Sequence, residues 1–194
     1  MKRKRTLEDR KLILKLSNNI NEQIHILDYM KALVVYYSRT GNTREVAARI
    51  ADELGCDIEE IHDTQKRTGI IGFIKSGYQA ARGKDTVLEP YEKDPSSYDL
   101  VIAGTPVWAG KPSVPISTYL KENRSKIKNV AFFCTYGGSG AEGTFRTMKE
   151  ILGMEPIETV AITEREIKED TCDCKIEPFV RDVEEPFRKP SEPQ

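Results

Sequence analysis

A short apolar run that ends abruptly in a polar turn, and is followed by an amphipathic helical pattern, constrains the fold most strongly. The run Leu33–Tyr37 is apolar and partly β-branched, which is typical of a strand buried in a core. The turn Ser38–Thr43 carries hydroxyl and amide side chains around one glycine. From Arg44 onward, apolar residues recur at helical spacing until Gly55. This order predicts a helix N-terminus at the carboxyl end of a strand, where free backbone N–H groups and the helix dipole suit an anion such as phosphate.

The same alternation of strand and helix continues along the chain. Four further apolar segments predict strands, at residues 57–61, 99–104, 129–135 and 157–162. Helical patterns occupy residues near 114–120, 141–152 and 172–187, and a helix interrupted by two glycines is predicted at 70–82, within a long crossover of residues 62–98. Five strands alternating with helices are typical of a doubly wound five-stranded parallel sheet, a three-layer α/β/α architecture.

Length and charge divide the chain into one domain and two peripheral segments. A chain of 194 residues is long enough for one domain with a substantial core. Residues 1–29 carry seven Lys/Arg and four Asp/Glu, a net charge of +3, and are expected to be a peripheral extension; an arm that contacts nucleic acid or a membrane is the alternative. Residues 30–187 form the predicted domain and residues 188–194 a tail. The chain outside the extension carries a net charge of −4, so no nucleic-acid surface is expected on the main domain.

Composition also argues against several classes of protein. No apolar run approaches the roughly 20 residues of a membrane span. Near the N-terminus, the apolar stretch Leu12–Leu16 is broken by Lys15, so a secretory signal is not predicted. The four cysteines lack the spacing of a disulfide framework, and Cys172 and Cys174, in a chain with two histidines, do not indicate a metal site. We therefore expect a cytoplasmic protein without a metal centre.

Three of the predicted strands end in unusual loops, and the carboxyl ends of parallel strands share one edge of a sheet. The first loop, Ser38–Thr43, offers hydroxyls and backbone N–H groups to a phosphate. The second, Thr105–Pro112, contains Trp108, the only tryptophan, whose indole offers a flat face for stacking. The third, Thr135–Gly140, is rich in glycine and adds an aromatic ring at Tyr136. Each loop alone also has a purely structural explanation, but together they suit a mononucleotide with a large flat ring.

These loops resemble those of the flavodoxin family. Residues 38–43 resemble the family's T-x-T-G-x-T phosphate loop, with Ser38 in place of the first threonine. Residues 104–110 resemble its second flavin loop, and residues 135–140 fall where the third meets the ring. The resemblance covers residues 30 to about 187 and implies FMN as the cofactor. The cofactor-binding residues that it implies are Ser38, Arg39, Thr40, Gly41, Asn42, Thr43, Thr105, Pro106, Val107, Trp108, Gly110, Thr135, Tyr136, Gly137, Gly138 and Gly140.

The resemblance implies electron transfer and leaves two kinds of reaction open. The first is an FMN-binding protein that carries electrons between redox partner proteins. The second is an FMN-dependent oxidoreductase that acts on NAD(P)H and a quinone, for which the crossover around Tyr78 would edge the substrate or form part of a homodimer surface. A flavodoxin-like interaction module without flavin is a third hypothesis, which the intact loops disfavour. No Ser/His/Asp or Cys/His constellation indicates a catalytic residue, so the chemistry would belong to the cofactor.

A competing nucleotide motif overlaps the third loop. Residues 138–143 satisfy the G-x-G-x-x-G dinucleotide fingerprint, and Glu164 follows about twenty residues later. The motif comes after the fourth predicted strand, so too little chain remains for the rest of a dinucleotide-binding domain. The sequence has no G-x-x-x-x-G-K-[ST] loop, which argues against a P-loop nucleotidase.

Overall fold

The computed structural model describes residues 30–64 and 85–188. The predicted N-terminal extension, the predicted helix at residues 70–82 and the end of the predicted tail lie outside these ranges. In the described part of the chain, five parallel strands form a sheet with helices packed on both faces. This arrangement confirms the predicted doubly wound α/β fold.

The elements follow one another in the predicted alternation. The strands are β1 (Ala32–Tyr36), β2 (Asp57–Glu60), β3 (Leu100–Trp108), β4 (Lys111–Pro112), β5 (Val130–Tyr136) and β6 (Thr159–Thr163). The helices are α1 (Asn42–Leu54), α2 (Val114–Glu122), α3 (Ala141–Leu152), α4 (Glu164–Lys168) and α5 (Asp173–Glu184). Short 3₁₀ turns occupy Pro95–Ser97 and Glu185–Phe187. The strand order is β2-β1-β3-β5-β6, and all these neighbours run parallel.

Each face of the sheet has its own hydrophobic core, because successive strand residues point to opposite faces. In β1, Leu33 and Val35 join Tyr119 of α2 in one core. Val34 lies on the opposite face and joins Ile50 of α1 in the other. Every residue of β1 is buried, which explains why its sequence is an almost continuous apolar run instead of an alternation of polar and apolar residues.

The strand order changes direction at β1. The chain passes from β1 outward to β2 and then returns to pair β3 with the other side of β1. Sheets of this kind bind ligands beyond the carboxyl ends of the strands at such a switch point. The fold therefore places the loops after β1, β3 and β5 beside one another.

Two elements differ from the expectations drawn from sequence. β3 does not end at residue 104 but continues to Trp108, and the chain then returns in β4, which pairs antiparallel with the end of β3. Residues 107–112 are called the β3–β4 hairpin below, and the prediction of an irregular loop over them is wrong. Helix α4 is absent from the sequence prediction because its five residues are too few to show a helical period.

A glycine in the middle of β3 provides the space for a buried aromatic ring. Gly104 is the register partner of Phe133 in the neighbouring strand β5. A Cβ atom built on Gly104 would lie 1.9 Å from Cζ of the Phe133 ring. The ring is fully buried and cannot move into solvent. The core therefore requires glycine at position 104, because the Phe133 ring fills the space that any side chain there would need.

We expect Gly104→Ala to destabilise the protein by about 3 kcal/mol, since overpacking a closed core forces strained side chains or a backbone shift. Urea unfolding followed by circular dichroism measures this change. The double variant Gly104→Ala/Phe133→Leu is the matched control, because the smaller side chain removes the clash. A double variant no more stable than Gly104→Ala would contradict this explanation.

The start of α4 is fixed by a capping box. The Thr163 hydroxyl accepts a hydrogen bond from the Glu166 N–H, and the Glu166 carboxylate accepts one from the Thr163 N–H. The Lys175 ammonium lies 2.6 Å from Oε1 of Glu166. Burial acts to raise the pKa of Glu166, but the donors from Lys175 and Thr163 outweigh it and lower this pKa to about 2. The box places Glu164, the first residue of α4, at the carboxyl edge of the sheet.

The lowered pKa makes the stability contribution of Glu166 dependent on pH. The ionised carboxylate is favoured in the folded state, so its contribution is complete above the unfolded pKa of about 4.3 and disappears as the pH falls toward 2. We expect Glu166→Gln to lose about 1–2 kcal/mol of unfolding free energy at pH 7 and about half as much at pH 3, since the carboxylate is still largely ionised in the folded state there. Urea unfolding across this pH range, with the exposed Glu150→Gln as control, measures the difference. An equal loss at both pH values would contradict the linkage.

Candidate functional site

A pocket lies at the carboxyl edge of the sheet, where the loops after β1, β3 and β5 meet. Nine of the ten lining residues come from the three loops predicted from sequence, and the tenth is Glu164 at the start of α4. The lining consists of Arg39, Thr40, Asn42, Pro106, Val107, Trp108, Thr135, Tyr136, Gly137 and Glu164. The fold thus brings together residues that are up to 125 positions apart in the chain.

The first loop ends in an open helix N-terminus. Gly41 has φ 100°, a left-handed conformation that favours glycine, and no side chain among the described residues caps α1. The loop is held by the Gly41 N–H, which donates to Oγ of Ser38 at 3.1 Å. Within α1, the bond from the Glu45 N–H to the Gly41 carbonyl is the first of the helical series. The earlier N–H groups, from Asn42 to Arg44, have no intrahelical acceptor and can bind an anion.

A buried pair of hydroxyls joins the first loop to the third. The Oγ1 atoms of Thr43 and Thr135 lie 2.8 Å apart, and both residues are almost completely buried. Two hydroxyls carry two protons, and their mutual hydrogen bond uses only one of them. When Thr43 is the donor of this bond, the Thr135 proton is left for an acceptor in the pocket, whose lining includes Thr135.

Charges around the first loop are divided between the pocket and a neighbouring ion pair. Arg39 and Glu164 are in the pocket lining. Arg44 is committed to Glu60 instead, with nitrogen–oxygen distances of 2.9 to 3.1 Å. The Tyr36 hydroxyl also donates to Glu60, and burial together with this carboxylate raises the pKa of Tyr36. Arg39 is therefore the basic residue of the pocket lining, whereas Arg44 lies outside it in the ion pair with Glu60.

Trp108, in the second loop, forms part of the pocket wall and is largely buried. Trp108 lines the pocket, but it is the last residue of β3 and is only 5% exposed. Its ring meets that of Tyr37 edge to face, with centroids 5.5 Å apart and planes at 84°. The sequence interpretation placed this residue in an irregular loop, which is wrong, whereas stacking of its indole on a planar ligand stays a prediction.

The β3–β4 hairpin turns through two residues of positive φ. Ala109 has φ 50° and Gly110 has φ 72°, a pair of left-handed conformations that suits a tight two-residue connection. At the base of the hairpin, Oγ1 of the buried Thr105 accepts a hydrogen bond from the Ser113 N–H at 2.8 Å. Thr105 therefore holds the start of α2 and does not line the pocket.

The predicted site residues fall into two groups. Those that line the pocket are Arg39, Thr40, Asn42, Pro106, Val107, Trp108, Thr135, Tyr136 and Gly137. Those that belong to the three loops or to their ends but are not in the lining are Ser38, Gly41, Thr43, Thr105, Gly110, Gly138 and Gly140. Direct ligand contact stays a prediction for all of them.

Glu164 is the lining residue that the sequence interpretation missed as part of this site. Its signal is an acidic residue two positions after the fifth predicted strand, whose carboxyl end shares the edge with the other three. The sequence predicts this strand but not α4, so it indicates no helix N-terminus at that strand end. The sequence interpretation uses Glu164 only as a possible partner of the dinucleotide fingerprint.

Residues 30–64 and 85–188 contain no group of three or more His, Cys, Asp or Glu side chains placed to hold a metal ion. The four cysteines are free thiols, and Cys134 is buried in β5. None of the helices in these ranges has the length and apolar character needed to cross a membrane.

Known proteins resemble this chain in fold and, more weakly, in sequence. A flavoprotein from Lactobacillus acidophilus NCFM, solved in complex with FMN, is 25% identical with a TM-score of 0.60, over 72% of this chain and 97% of that one. A flavodoxin from Fusobacterium nucleatum bound to flavin mononucleotide is 14% identical with a TM-score of 0.52, over 82% and 99% of the two chains, and shows similarity of fold alone. No curated protein sequence matches this chain at a significant level.

A family model adds direct support from the sequence. The model described as flavodoxin matches residues 31–171, which includes β1 to α4 and all three pocket loops. This range is well over half of the chain. The chain belongs to the flavodoxin family.

Proposed function

We propose that this protein binds FMN in the pocket at the carboxyl edge of its sheet and carries electrons between redox partners. The observation that carries the proposal is the convergence of three loops, predicted independently from sequence, on the lining of one pocket. Membership of the flavodoxin family and the FMN bound to the Lactobacillus relative support the choice of ligand.

The phosphate of FMN fits the corner formed by the first loop. The open N-terminus of α1 supplies backbone N–H donors and the positive end of the helix dipole. Thr40 and Asn42 add polar side chains in the lining, and Arg39 adds a positive charge. The spare proton of the Thr43–Thr135 pair is a further donor. These groups match a dianion, which is stabilised by several donors and a nearby cation.

The flavin ring fits the part of the pocket between the second and third loops. Val107 and Trp108 form one wall, and Tyr136 and Gly137 come from the end of the neighbouring strand β5. A Cβ atom built on Gly137 would meet nothing within 4 Å, so the third loop leaves open space where the backbone can approach a ligand. When bound, the flavin supplies the electron-carrying chemistry, while these residues orient the ring and shield one side from water.

Glu164 gives the pocket an acceptor and a negative charge. Its carboxylate can accept hydrogen bonds from sugar-alcohol hydroxyls of the kind that FMN carries between phosphate and ring. It also disfavours further negative charge in the pocket, and the exposed position of Glu164 keeps this effect small. The first effect helps to hold the ligand, and the second, although small, suits a carrier that releases electrons to a partner.

The proposed phosphate site predicts how a substitution of Arg39 changes the affinities for FMN and for riboflavin. We expect Arg39→Met to weaken FMN binding roughly tenfold or more, because a charge-assisted interaction with the phosphate is lost. Binding of riboflavin, which lacks the phosphate, should change little. Quenching of flavin fluorescence on titration with the apoprotein measures both affinities.

A matched control removes the neighbouring ion pair without changing the net charge. The double variant Arg44→Met/Glu60→Gln should retain the preference for FMN over riboflavin, because this pair lies outside the pocket lining. An equal loss of FMN and riboflavin in Arg39→Met would show that Arg39 does not face the phosphate. A wild-type protein that stays colourless after incubation with FMN would contradict the proposed function itself.

If the protein carries electrons between partner proteins, it should not itself catalyse the oxidation of NAD(P)H. The FMN-loaded protein should be reduced by dithionite and reoxidised by a one-electron acceptor such as ferricyanide, while NAD(P)H and a benzoquinone together should give no steady-state turnover. The visible flavin absorbance and the NAD(P)H absorbance at separate wavelengths measure the two reactions. Sustained NAD(P)H oxidation that depends on the quinone would favour the alternative, an NAD(P)H:quinone oxidoreductase.

A further inference from the structure

We propose that Gly143 and Thr147, on α3 and outside the pocket, are positioning residues that hold the β3–β4 hairpin against this helix. In doing so they set the separation of the two loops that face the flavin ring. The inference rests on the proposed FMN site for its functional meaning. The attachment of the hairpin to α3 does not depend on FMN, because contacts within the chain support it.

The hairpin tip lies directly on the backbone of the first turn of α3. A Cβ atom built on Gly140 would lie 2.8 Å from Cα of Gly110 and 3.0 Å from a methyl carbon of Val107. A Cβ atom built on Gly143 would lie 3.0 Å from the Gly110 carbonyl oxygen. Glycines therefore occur at both positions of α3 that meet the tip, and a larger residue would push the tip outward.

Side-chain hydrogen bonds fasten the second strand of the hairpin to the same helix. The Lys111 ammonium donates to Oγ1 of Thr147 at 3.0 Å. The Thr147 hydroxyl in turn donates to the Gly143 carbonyl at 2.8 Å. A single threonine thus accepts from the hairpin and donates to the helix turn that the hairpin touches. Both hydrogen bonds are partly buried, which limits competition from water.

A glycine at position 143 lowers the stability of α3, so its presence there calls for a structural reason. Gly143 lies inside α3, where glycine is a poorer helix former than alanine. It also completes the G-x-G-x-x-G pattern that the sequence offers as a dinucleotide motif. The contact with Gly110 gives this glycine a role that needs no dinucleotide: it makes room for the hairpin.

The attachment connects two walls of the pocket. Val107 lines the pocket and is also the hairpin residue that meets Gly140. Gly137 lines the pocket on the third loop, three residues before Gly140, the N-cap of α3. A shift of the hairpin away from α3 therefore changes the distance between the walls, although neither Gly143 nor Thr147 lines the pocket. Small displacements of this kind weaken ligand orientation strongly.

Four variants of the full-length protein test the proposal. Gly143→Ala and Gly143→Val add volume against the hairpin in two steps, Thr147→Val removes the hydroxyl with little change of shape, and Thr147→Ser restores it. We expect FMN affinity to fall about three- to tenfold in Gly143→Ala and Thr147→Val, further in Gly143→Val, and to stay within about twofold of wild type in Thr147→Ser. The exposed Glu150→Ala on the same helix is the control and should bind FMN as the wild type does.

Two readouts separate positioning from general loss of structure. Urea unfolding of the apoprotein should show Gly143→Ala to be no less stable than wild type, because alanine favours the helix. Amide hydrogen exchange of residues 107–111 in the apoprotein should be faster in Thr147→Val and unchanged in Thr147→Ser. Wild-type FMN affinity and hairpin exchange in Gly143→Val and Thr147→Val would overturn the inference. If the wild type binds no FMN, the proposed function fails, and hairpin exchange alone decides whether Thr147 holds the hairpin.

Discussion

The parallel pairing of β1, β3 and β5 is the constraint on which the rest of the structure depends. Val34, Ile102 and Ala131 lie in register across these strands, each buried in the same core. Burial on both faces leaves little freedom in this register, because a slip of one residue would exchange the two cores. The carboxyl ends of the three strands are thereby fixed side by side, and the loops that follow them can only meet at this edge.

The sequence predicted those features that depend on periodicity and on residue type at strand ends. The alternation of five strands with helices, and the three loops, follow from runs such as Leu33–Tyr37 and from the hydroxyl and glycine content after them. The β3–β4 hairpin and α4 were missed because each is too short to show a period. Glu164 was missed because it begins α4, the helix that the sequence does not predict. The burial of Trp108 against Tyr37 depends on contacts between residues 71 positions apart, which no local pattern contains.

The pocket combines opposing electrostatic features in a small region. The α1 N-terminus and Arg39 attract an anion to the first loop, while Glu164 brings a negative charge to the same lining. The ion pair of Arg44 with Glu60 lies beside them and adds no net charge. Under the proposed function, the first loop holds the dianionic end of the ligand, and the exposed Glu164 adds a small negative charge to the same lining.

The contact between Gly104 and Phe133 restricts how this sequence can change over evolutionary time. The two residues face each other across β3 and β5, and any side chain at position 104 would overlap the ring at position 133. Substitutions at the two positions are therefore tolerated in one order. Phe133 must first be replaced by a smaller residue, and only then can Gly104 be replaced by a residue with a side chain. Homologous chains should accordingly show the two positions varying as a correlated pair, with large residues opposite glycine and small ones opposite alanine or serine.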